Sequence, residues 1–291
     1  MTPASRKVVV ARAEMFRQVR DFFCARDVLE VDVPAIVRAP IIDLHIEPMK
    51  VDGNFLITSP ESGMKRLLAE GSGDIYQLGH VFRKGEKGRL HHPEFTMIEW
   101  YRVGMEYDAF IDEVLDLITL FVGAKKVERL TYAEAFLRHV GLDPFSASLS
   151  DLRNIACLPD EAKAWEREVL LHFLMGFVIE PGFDPEKFTV VTDFPTSEAA
   201  LAKIEDGVAR RFEVYHGGVE LANGYDELTC AKELRARFER CNSLRDEPLP
   251  QDEDLLAAMA GGFPECCGVA VGFDRLMMLK FGAKSLESCL Y

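Results

Sequence analysis

The chain has 291 residues, of which 48% are hydrophobic and 28% are charged, a composition typical of globular proteins. No apolar run approaches the about 18 residues of a membrane-spanning helix, and the N-terminal sequence lacks a signal-peptide core, so we expect a cytoplasmic protein. The formal net charge of −14 argues against a protein that binds nucleic acid mainly through phosphates. The seven cysteines are scattered, without zinc-site spacing, which indicates reduced thiols.

The N-terminal segment reads as a helix that leads into a strand. Apolar residues recur at helical spacing between Arg6 and Asp27, which predicts an amphipathic helix. From Val28 to Val33, apolar and acidic residues alternate until Pro34 ends the run. We therefore predict a helix followed by a short strand.

Two further strands are predicted at residues 75–83 and 94–102, which are rich in β-branched and aromatic residues. The segment between them, KGEKGRLHHP, predicts a long, basic, mobile loop. The period of two places Glu99 and Tyr101 on one face of the second strand, with Arg83 on a matching face of the first. This face is either a ligand floor or an exposed polar surface.

The remaining pattern predicts a helical insertion and then more strands. Apolar residues follow helical spacing from about 108 to 187, and strand character returns at 188–195, 211–224 and 268–275. The last strand runs into a helix, and core packing explains the adjacent Cys266 and Cys267 better than a redox site. We predict one α+β domain over 1–291, an antiparallel sheet flanked by helices with a helical insertion.

The segment RFEVYHGGVELANGYDEL predicts a hairpin with Gly217 and Gly218 as its turn. In this register Tyr215 faces Glu220, and Glu213 shares the face of Tyr215. The two glutamates are then diagonal neighbours, close enough to share a hard cation such as Mg²⁺. Two solvated glutamates on an exposed strand are the alternative.

Five segments, in order, resemble class II aminoacyl-tRNA synthetases of the lysyl type. FRKGEKGRLHHPEFTMIEWYR is similar to motif 2 and GVAVGFDRL to motif 3, while the N-terminal helix, strand and Pro34 resemble motif 1. TSPESGMKRLL and ELANGYDEL resemble the lysine-pocket segments of that family. The resemblance implies the class II catalytic fold, with ATP and Mg²⁺ as cofactors.

A lysyl-tRNA synthetase carries an anticodon-binding domain before motif 1, and here motif 1 starts within the first dozen residues, so we expect that domain to be absent. The chain is more similar to the elongation factor P (R)-β-lysine ligases. That resemblance implies (R)-β-lysine or lysine as substrate, elongation factor P as acceptor, a homodimer, and no tRNA binding. A minimal synthetase that charges tRNA or a small molecule, and a non-catalytic paralogue, are the alternatives.

The resemblance also implies residue roles. Arg83 and Arg275 are the expected catalytic residues, and Glu213 and Glu220 the expected metal ligands. The ATP contacts are expected from Arg83, Lys84, Gly85, His92, Phe95, Glu220, Leu221, Gly272 and Arg275. The contacts to the amino acid are expected from Ser59, Pro60, Glu61, Glu99, Tyr101, Asn223, Glu227 and Ala270.

Within this assignment Glu61 meets the amino group near the substrate carboxylate. Glu99, Tyr101 and Glu227 receive the distant ε-ammonium, because a buried ammonium needs paired acceptors. The chain departs from the family at Lys84-Gly85, where Asn-Glu is usual, at His92, where Asn is usual, and at Ala270, where lysyl-tRNA synthetases have Gly.

Overall fold

The computed structural model describes residues 6–155 and 157–290. Its strands are β1 (Leu29–Glu30), β2 (Ile36–Val37), β3 (Lys50–Val51), β4 (Asn54–Leu56), β5 (Ile75–Phe82), β6 (Glu94–Val103), β7 (Lys126–Thr131), β8 (Lys187–Phe194), β9 (Ile204–Glu205), β10 (Val208–His216), β11 (Val219–Asp226) and β12 (Cys266–Gly272). Its α-helices are α1 (Arg6–Cys24), α2 (Glu61–Ala69), α3 (Tyr107–Val122), α4 (Tyr132–His139), α5 (Leu149–Arg153), α6 (Arg167–Leu174), α7 (Ala231–Ser243), α8 (Glu253–Gly261) and α9 (Phe273–Phe281).

The chain divides into two compact units. The first comprises Met1–Ala124 and Gly224–Tyr291, and the second comprises Lys125–Asn223. That the whole chain is a single domain stays a prediction.

The sheet of the first unit has the strand order β1-β5-β6-β12. β6 runs antiparallel to both β5 and β12, and β1 pairs with β5 in parallel. The strands predicted at 75–83 and 94–102 are therefore confirmed. The strand predicted at 268–275 and the helix after it are also present, but the strand ends at Gly272 and the helix begins at Phe273. A separate small sheet has the order β2-β4-β3.

Helix α1 buries Met15, Val19, Phe22 and Phe23, the apolar face that the sequence predicts. The ring of Phe23 stacks on Tyr76 with centroids 4.1 Å apart, which fixes the helix against β5. The helix observed in the structure ends at Cys24, three residues before the predicted end at Asp27.

The strand predicted from Val28 to Val33 is correctly placed but too long. Only Leu29–Glu30 forms strand ladder pairs, and the side chain of Leu29 is 58% exposed. β1 lies at the edge of the sheet, where a strand has a neighbour on one side only. The alternation of apolar and acidic residues from Val28 to Val33 therefore does not predict which side chains are buried.

The predicted helical spacing over 108–187 is wrong for Lys126–Thr131, which forms strand β7 parallel to β8. Gly123, with φ of 86°, ends α3 just before this strand. Helix α3 packs against α9 and belongs to the first unit. The helices α4, α5 and α6 belong to the second unit.

In the second unit the strands follow the order β11-β10-β8-β7, with β9 paired to β10. β10 and β11 are joined by Gly217 and Gly218, whose φ angles are 57° and 71°. Two successive positive φ values are what a two-residue hairpin turn needs, so the predicted hairpin is confirmed. The strand predicted at 188–195 is confirmed as β8.

All seven cysteines are free thiols, and Cys266 and Cys267 are buried at the start of β12. Among the described helices, none is long and apolar enough to cross a bilayer.

Candidate active site

Three paired strands of the first unit place polar side chains in rows across one face of the sheet. Glu99 on β6 lies opposite Gln77 on β5 and Ala270 on β12. Tyr101 lies opposite Gly268, two positions along. Since cross-strand partners share a face, the predicted arrangement of Glu99 and Tyr101 on one face is confirmed.

Helix α2 adds Glu61 and Lys65 to the side chains Glu99, Tyr101 and Glu227, and we call this group of five residues the candidate pocket. It starts at Glu61, directly after Ser59 and Pro60, and the Glu61 amide donates to Ser59 Oγ at 3.3 Å. Lys65 follows four residues later and therefore projects from the same side of the helix. Its side chain is 0% exposed.

The Lys65 ammonium lies between two carboxylates. It donates to Glu61 Oε1 at 2.6 Å, and its Nζ lies 2.7 Å from Glu227 Oε2. The Glu227 carboxylate is therefore a second ion-pair partner of Lys65. Burial lowers the pKa of Lys65, but the attraction of Glu227 and Glu61 outweighs it and raises that pKa, which keeps the side chain a cation.

Glu99 is the third buried acid of the pocket. The Tyr101 hydroxyl donates to Glu99 Oε1 at 2.8 Å. Burial and the charge of Glu61 raise the pKa of Glu99 well above its usual value. Burial, together with Glu99, likewise raises the pKa of the Tyr101 phenol, which therefore stays a hydrogen-bond donor at neutral pH.

Glu227 follows strand β11 and is 1% exposed. Burial raises its pKa to about 7, although Lys65 acts in the opposite direction. Gly268 on β12 makes room for this side chain, because a Cβ at that position would overlap the Glu227 carboxylate and the Tyr101 ring. The first unit thus brings the predicted residues Glu61, Glu99, Tyr101 and Glu227 together.

These pKa values predict how amino-acid binding depends on pH. The resemblance implies that these carboxylates bind a substrate ammonium, which they can do only when ionised, and protons occupy Glu227 and Glu99 below their raised pKa values. We expect kcat/KM for the amino acid to fall as the pH decreases from about 8 to about 6, because the acids of the free enzyme must ionise first. A pH profile of amino-acid-dependent ATP–pyrophosphate exchange measures this. A flat profile over that range contradicts it.

Arg83 lies at the end of β5, beside the segment that leads into α2. Its Nε donates to the carbonyl of Thr58 at 3.3 Å, and Nη1 lies 3.5 Å from Glu86 Oε1. The guanidinium also lies over the Phe95 ring, 5.1 Å from its centroid. Arg83 is therefore close to both predicted binding segments, Ser59-Pro60-Glu61 and the start of β6.

The loop between β5 and β6 folds back on itself and on α9. Gly88 and His91 form a backbone bridge, and Arg275 Nη2 lies 3.1 Å from His91 Nε2. Lys84, followed by Gly85, donates its amide to the carbonyl of Glu47. His92 Nδ1 lies 2.6 Å from the carbonyl oxygen of Glu94 and donates a hydrogen bond to it.

Asp274 joins α9, which carries Arg275, to α1 through an ion pair and to β6, which carries Phe95, through a hydrogen bond, and sequence reasoning missed both contacts. Arg12 Nη1 donates to Asp274 Oδ1 at 2.5 Å, and the amide of Thr96 donates to Asp274 Oδ2 at 2.7 Å. Gly272 lies directly before α9, and Asp274 is in its first turn. A buried carboxylate with these partners holds Phe95 and Arg275 in fixed backbone positions.

In the second unit, Glu213 is buried and accepts from Arg211 and from the Tyr215 hydroxyl. Burial raises the pKa of Glu213; Arg211 lowers it, and Glu220 raises it further. The two glutamates are thus electrostatic neighbours, as the hairpin predicts. Sequence reasoning missed the Arg211 partner.

The other predicted residues of the second unit differ in their surroundings. Leu221 is buried, whereas Asn223 Oδ1 is buried without a hydrogen-bond partner in the described chain. A buried amide oxygen of this kind fits a ligand that brings an N–H donor. Over residues 6–155 and 157–290, no group of three or more His, Cys, Asp or Glu side chains is arranged to hold a metal ion.

Comparison with known proteins relates this site to one enzyme family. A family model described as tRNA synthetases class II (D, K and N) matches residues 1–291. The elongation factor P–(R)-β-lysine ligase of Vibrio cholerae serotype O1 is 44% identical over 308 residues, which cover 99% of this chain and 95% of that protein.

Two further relatives carry the same name. The protein of Salmonella typhi is 43% identical and that of Edwardsiella ictaluri is 44% identical, each over 303 residues. These matches cover 97% of this chain and 93% of each relative.

Proposed function

Because this chain belongs to the class II tRNA synthetase family of the D, K and N type, we propose that it activates (R)-β-lysine, or lysine, with ATP and transfers it to a lysine side chain of elongation factor P. The chain is a ligase, and enzymes of this class use ATP, generally with Mg²⁺. The observation that carries the proposal is the group of buried carboxylates in the first unit. Glu99 and Glu227, with the Tyr101 hydroxyl, form a buried acceptor set suited to a distant ammonium.

In the first step the substrate carboxylate attacks the α-phosphorus of ATP. A carboxylate–phosphorus bond forms, the bond to the β-phosphate oxygen breaks, and pyrophosphate leaves. The carboxylate is already ionised at pH 7, so this step needs no general base. Arg83 would stabilise the negative charge that develops at the α-phosphate, and Phe95 and Arg275 would bind the adenine ring by stacking and cation–π contact.

Glu213 and Glu220 are the proposed Mg²⁺ ligands. Two carboxylates suit this metal, which proteins usually hold through one or two acidic side chains together with substrate phosphates. Bound Mg²⁺ supplies charge neutralisation for the phosphates. The remaining predicted contacts, from Lys84, Gly85, His92, Leu221, Gly272 and Asn223, stay part of the proposal.

In the second step the amine of the acceptor lysine attacks the carbonyl of the acyl-adenylate, an amide bond forms, and AMP leaves. Lys84, Lys87 and Arg89 give the loop after β5 a basic edge that would contact the acceptor protein. The net charge of −14 disfavours tRNA as acceptor, because few phosphate contacts could form. A translation factor as acceptor places the reaction in the cytoplasm.

A homodimer built through the N-terminal segment is part of the proposal. Apolar side chains of this segment are exposed, among them Val10 at 53%, Leu29 at 58% and Ile36 at 55%. Burial of such side chains against a second copy would remove them from water.

The (R)-β-lysine preference is proposed to depend on Ala270. Its methyl group lies opposite Glu99 and beside Ile57, Val81 and Met97 at the pocket floor. We expect Ala270→Gly to shift preference toward α-lysine by about 1–3 kcal/mol, since one methyl group contributes no more than that to discrimination. The ratio of kcat/KM for the two isomers measures the shift, and an unchanged ratio removes Ala270 from the account.

The direct test of the activation step is ATP–pyrophosphate exchange with a panel of amino acids. We expect exchange with (R)-β-lysine or lysine and little with amino acids that have no second ammonium group. Exchange with none of the panel contradicts an activating enzyme. Exchange led by an uncharged side chain contradicts the assigned pocket.

A further inference from the structure

Lys65 is a fully buried cation inside the amino-acid pocket, and the proposed reaction gives it no role. Its Nζ lies 2.6 Å from Glu61 Oε1 and 2.7 Å from Glu227 Oε2, so one ammonium contacts two of the residues assigned to the substrate. Both carboxylates are largely buried as well.

A buried lysine is a costly way to pack a helix. An apolar side chain of similar volume often serves stability as well or better, because an ammonium loses its hydration on burial. The neighbouring residues of α2, Met64 and Leu68, already supply the apolar side chains that this helix buries in the core. The charge of Lys65 therefore needs an explanation beyond packing.

The charges of the pocket supply one. Above the raised pKa values of Glu99 and Glu227, the three acids Glu61, Glu99 and Glu227 carry three negative charges, and Lys65 cancels one of them. Two negative charges remain. A diamino acid brings two ammonium groups to this pocket, while its carboxylate is directed to the phosphate that Arg83 would bind.

We propose that Lys65 is a positioning residue that holds Glu61 and Glu227 apart as ionised acceptors and sets the pocket charge to match the two ammonium groups of a diamino acid. The inference rests on the proposed function and extends it to specificity. Lys65 acts through the two glutamates and does not itself contact the reacting atoms.

Removing Lys65 has a specific electrostatic consequence. Glu227 faces Lys65 and Glu61 on α2, Glu99 and Tyr101 on β6, and Cys266 on β12, and it follows Asp226. Without the lysine, Glu61 and Glu227 have no cation between them. Loss of this cation would raise the pKa of Glu227 further, because Lys65 now lowers it, and a proton on Glu227 would block an acceptor that the substrate needs.

The test variant is Lys65→Met, which keeps an unbranched side chain and removes the charge. We expect KM for the diamino acid in ATP–pyrophosphate exchange to rise by about 100-fold, with KM for ATP nearly unchanged. The fall of kcat/KM on the acidic side of its pH profile, the acid limb, should shift to a pH that is higher by about one unit or more. Activity should then partly recover near about pH 9, where the substrate ε-ammonium is still charged.

Two controls separate charge from stability. Leu68→Ala creates a cavity on the same helix, and we expect a lower Tm with an unmoved acid limb. Lys50→Met makes the same substitution at an exposed ion pair, and we expect wild-type kinetics. An unchanged KM and pH profile in Lys65→Met overturns the inference, as does a loss of activity that is equal at all pH values.

The wild-type protein provides a second test if Lys65→Met does not fold. Two lysine analogues each lack one amine: 6-aminohexanoate lacks the amine near the carboxylate, and norleucine lacks the ε-amine. We expect the inhibition constant of each analogue in lysine-dependent exchange to be at least about tenfold larger than the dissociation constant of lysine. Equal binding of either analogue overturns the charge match. A wild-type protein that activates no diamino acid contradicts the proposed function itself. Failure of the proposed function is thereby distinguished from failure of the charge match, which the binding of the analogues tests.

Discussion

Arg83→Ala is expected to slow lysine-dependent ATP–pyrophosphate exchange by about 10²–10³-fold, which is the usual loss when one group that stabilises developing charge is removed. The guanidinium is half-buried beside the Thr58 carbonyl and the Phe95 ring, where a charge interacts more strongly than in bulk water. The fold should survive, because the side chain of Arg83 is anchored among the described residues by these polar and ring contacts and a long ion pair to Glu86. Steady-state exchange kinetics measure the loss.

The matched control is Arg66→Ala. Arg66 is a half-buried arginine of the same unit whose partner, Asp254, is exposed at a distance of 3.7 Å. We expect nearly wild-type exchange from this variant and unchanged circular dichroism from both. If Arg83→Ala loses less than about tenfold, which corresponds to about 1.4 kcal/mol, its assigned role is wrong.

Glu227→Gln is expected to abolish detectable adenylate formation with lysine or (R)-β-lysine. The substitution keeps the shape of the side chain but leaves a substrate ammonium without its buried counter-charge, at a cost of about 3–5 kcal/mol. It also removes one of the two carboxylates that hold Lys65. We expect no amino-acid-dependent ATP–pyrophosphate exchange above background, while ATP binds with the affinity seen in the wild-type enzyme.

Glu113→Gln is the control for this prediction. Glu113 is also buried, accepts from Trp100 Nε1 at 3.1 Å, and pairs with Arg102, but it belongs to α3 and is assigned no role in the pocket. We expect this variant to lower Tm and to keep the KM of the wild type for lysine. Near-normal exchange by Glu227→Gln would show that the pocket is misplaced.

The sequence predicted those elements whose pattern reflects burial on one side. The face of α1 with Met15, Val19 and Phe23, and the paired strands β5 and β6, show a clear period because one side faces the core. Strand β7 was missed because Lys126–Thr131 is short, polar and at the end of the strand order, so its position depends on pairing with β8 more than on its own composition.

The site could be predicted in part for the same physical reason. The period of two placed Glu99 and Tyr101 together, and the Gly-Gly turn made Glu213 and Glu220 neighbours. The roles themselves came from resemblance and stay predictions. Contacts between residues far apart in the chain have no local pattern, so the ion pairs of Lys65 with Glu227 and of Arg12 with Asp274 were missed.

Two local signals could have pointed further. Glu61 and Lys65 have the spacing of an ion pair on one helix side, although the burial of that pair cannot be read from spacing. Gly268 in a strand suggests a close approach of a neighbouring side chain, and the structure identifies that neighbour as Glu227.

The most direct measurement of the central claim is the intact mass of elongation factor P after incubation with this enzyme, ATP, Mg²⁺ and (R)-β-lysine. We expect a single β-lysyl mass increment on the factor, located on one lysine, and little or no charging of total tRNA under the same conditions. Omission of ATP or (R)-β-lysine should abolish the increment. Efficient, RNase-sensitive charging of tRNA with no mass shift on elongation factor P would contradict the account and favour a minimal tRNA synthetase.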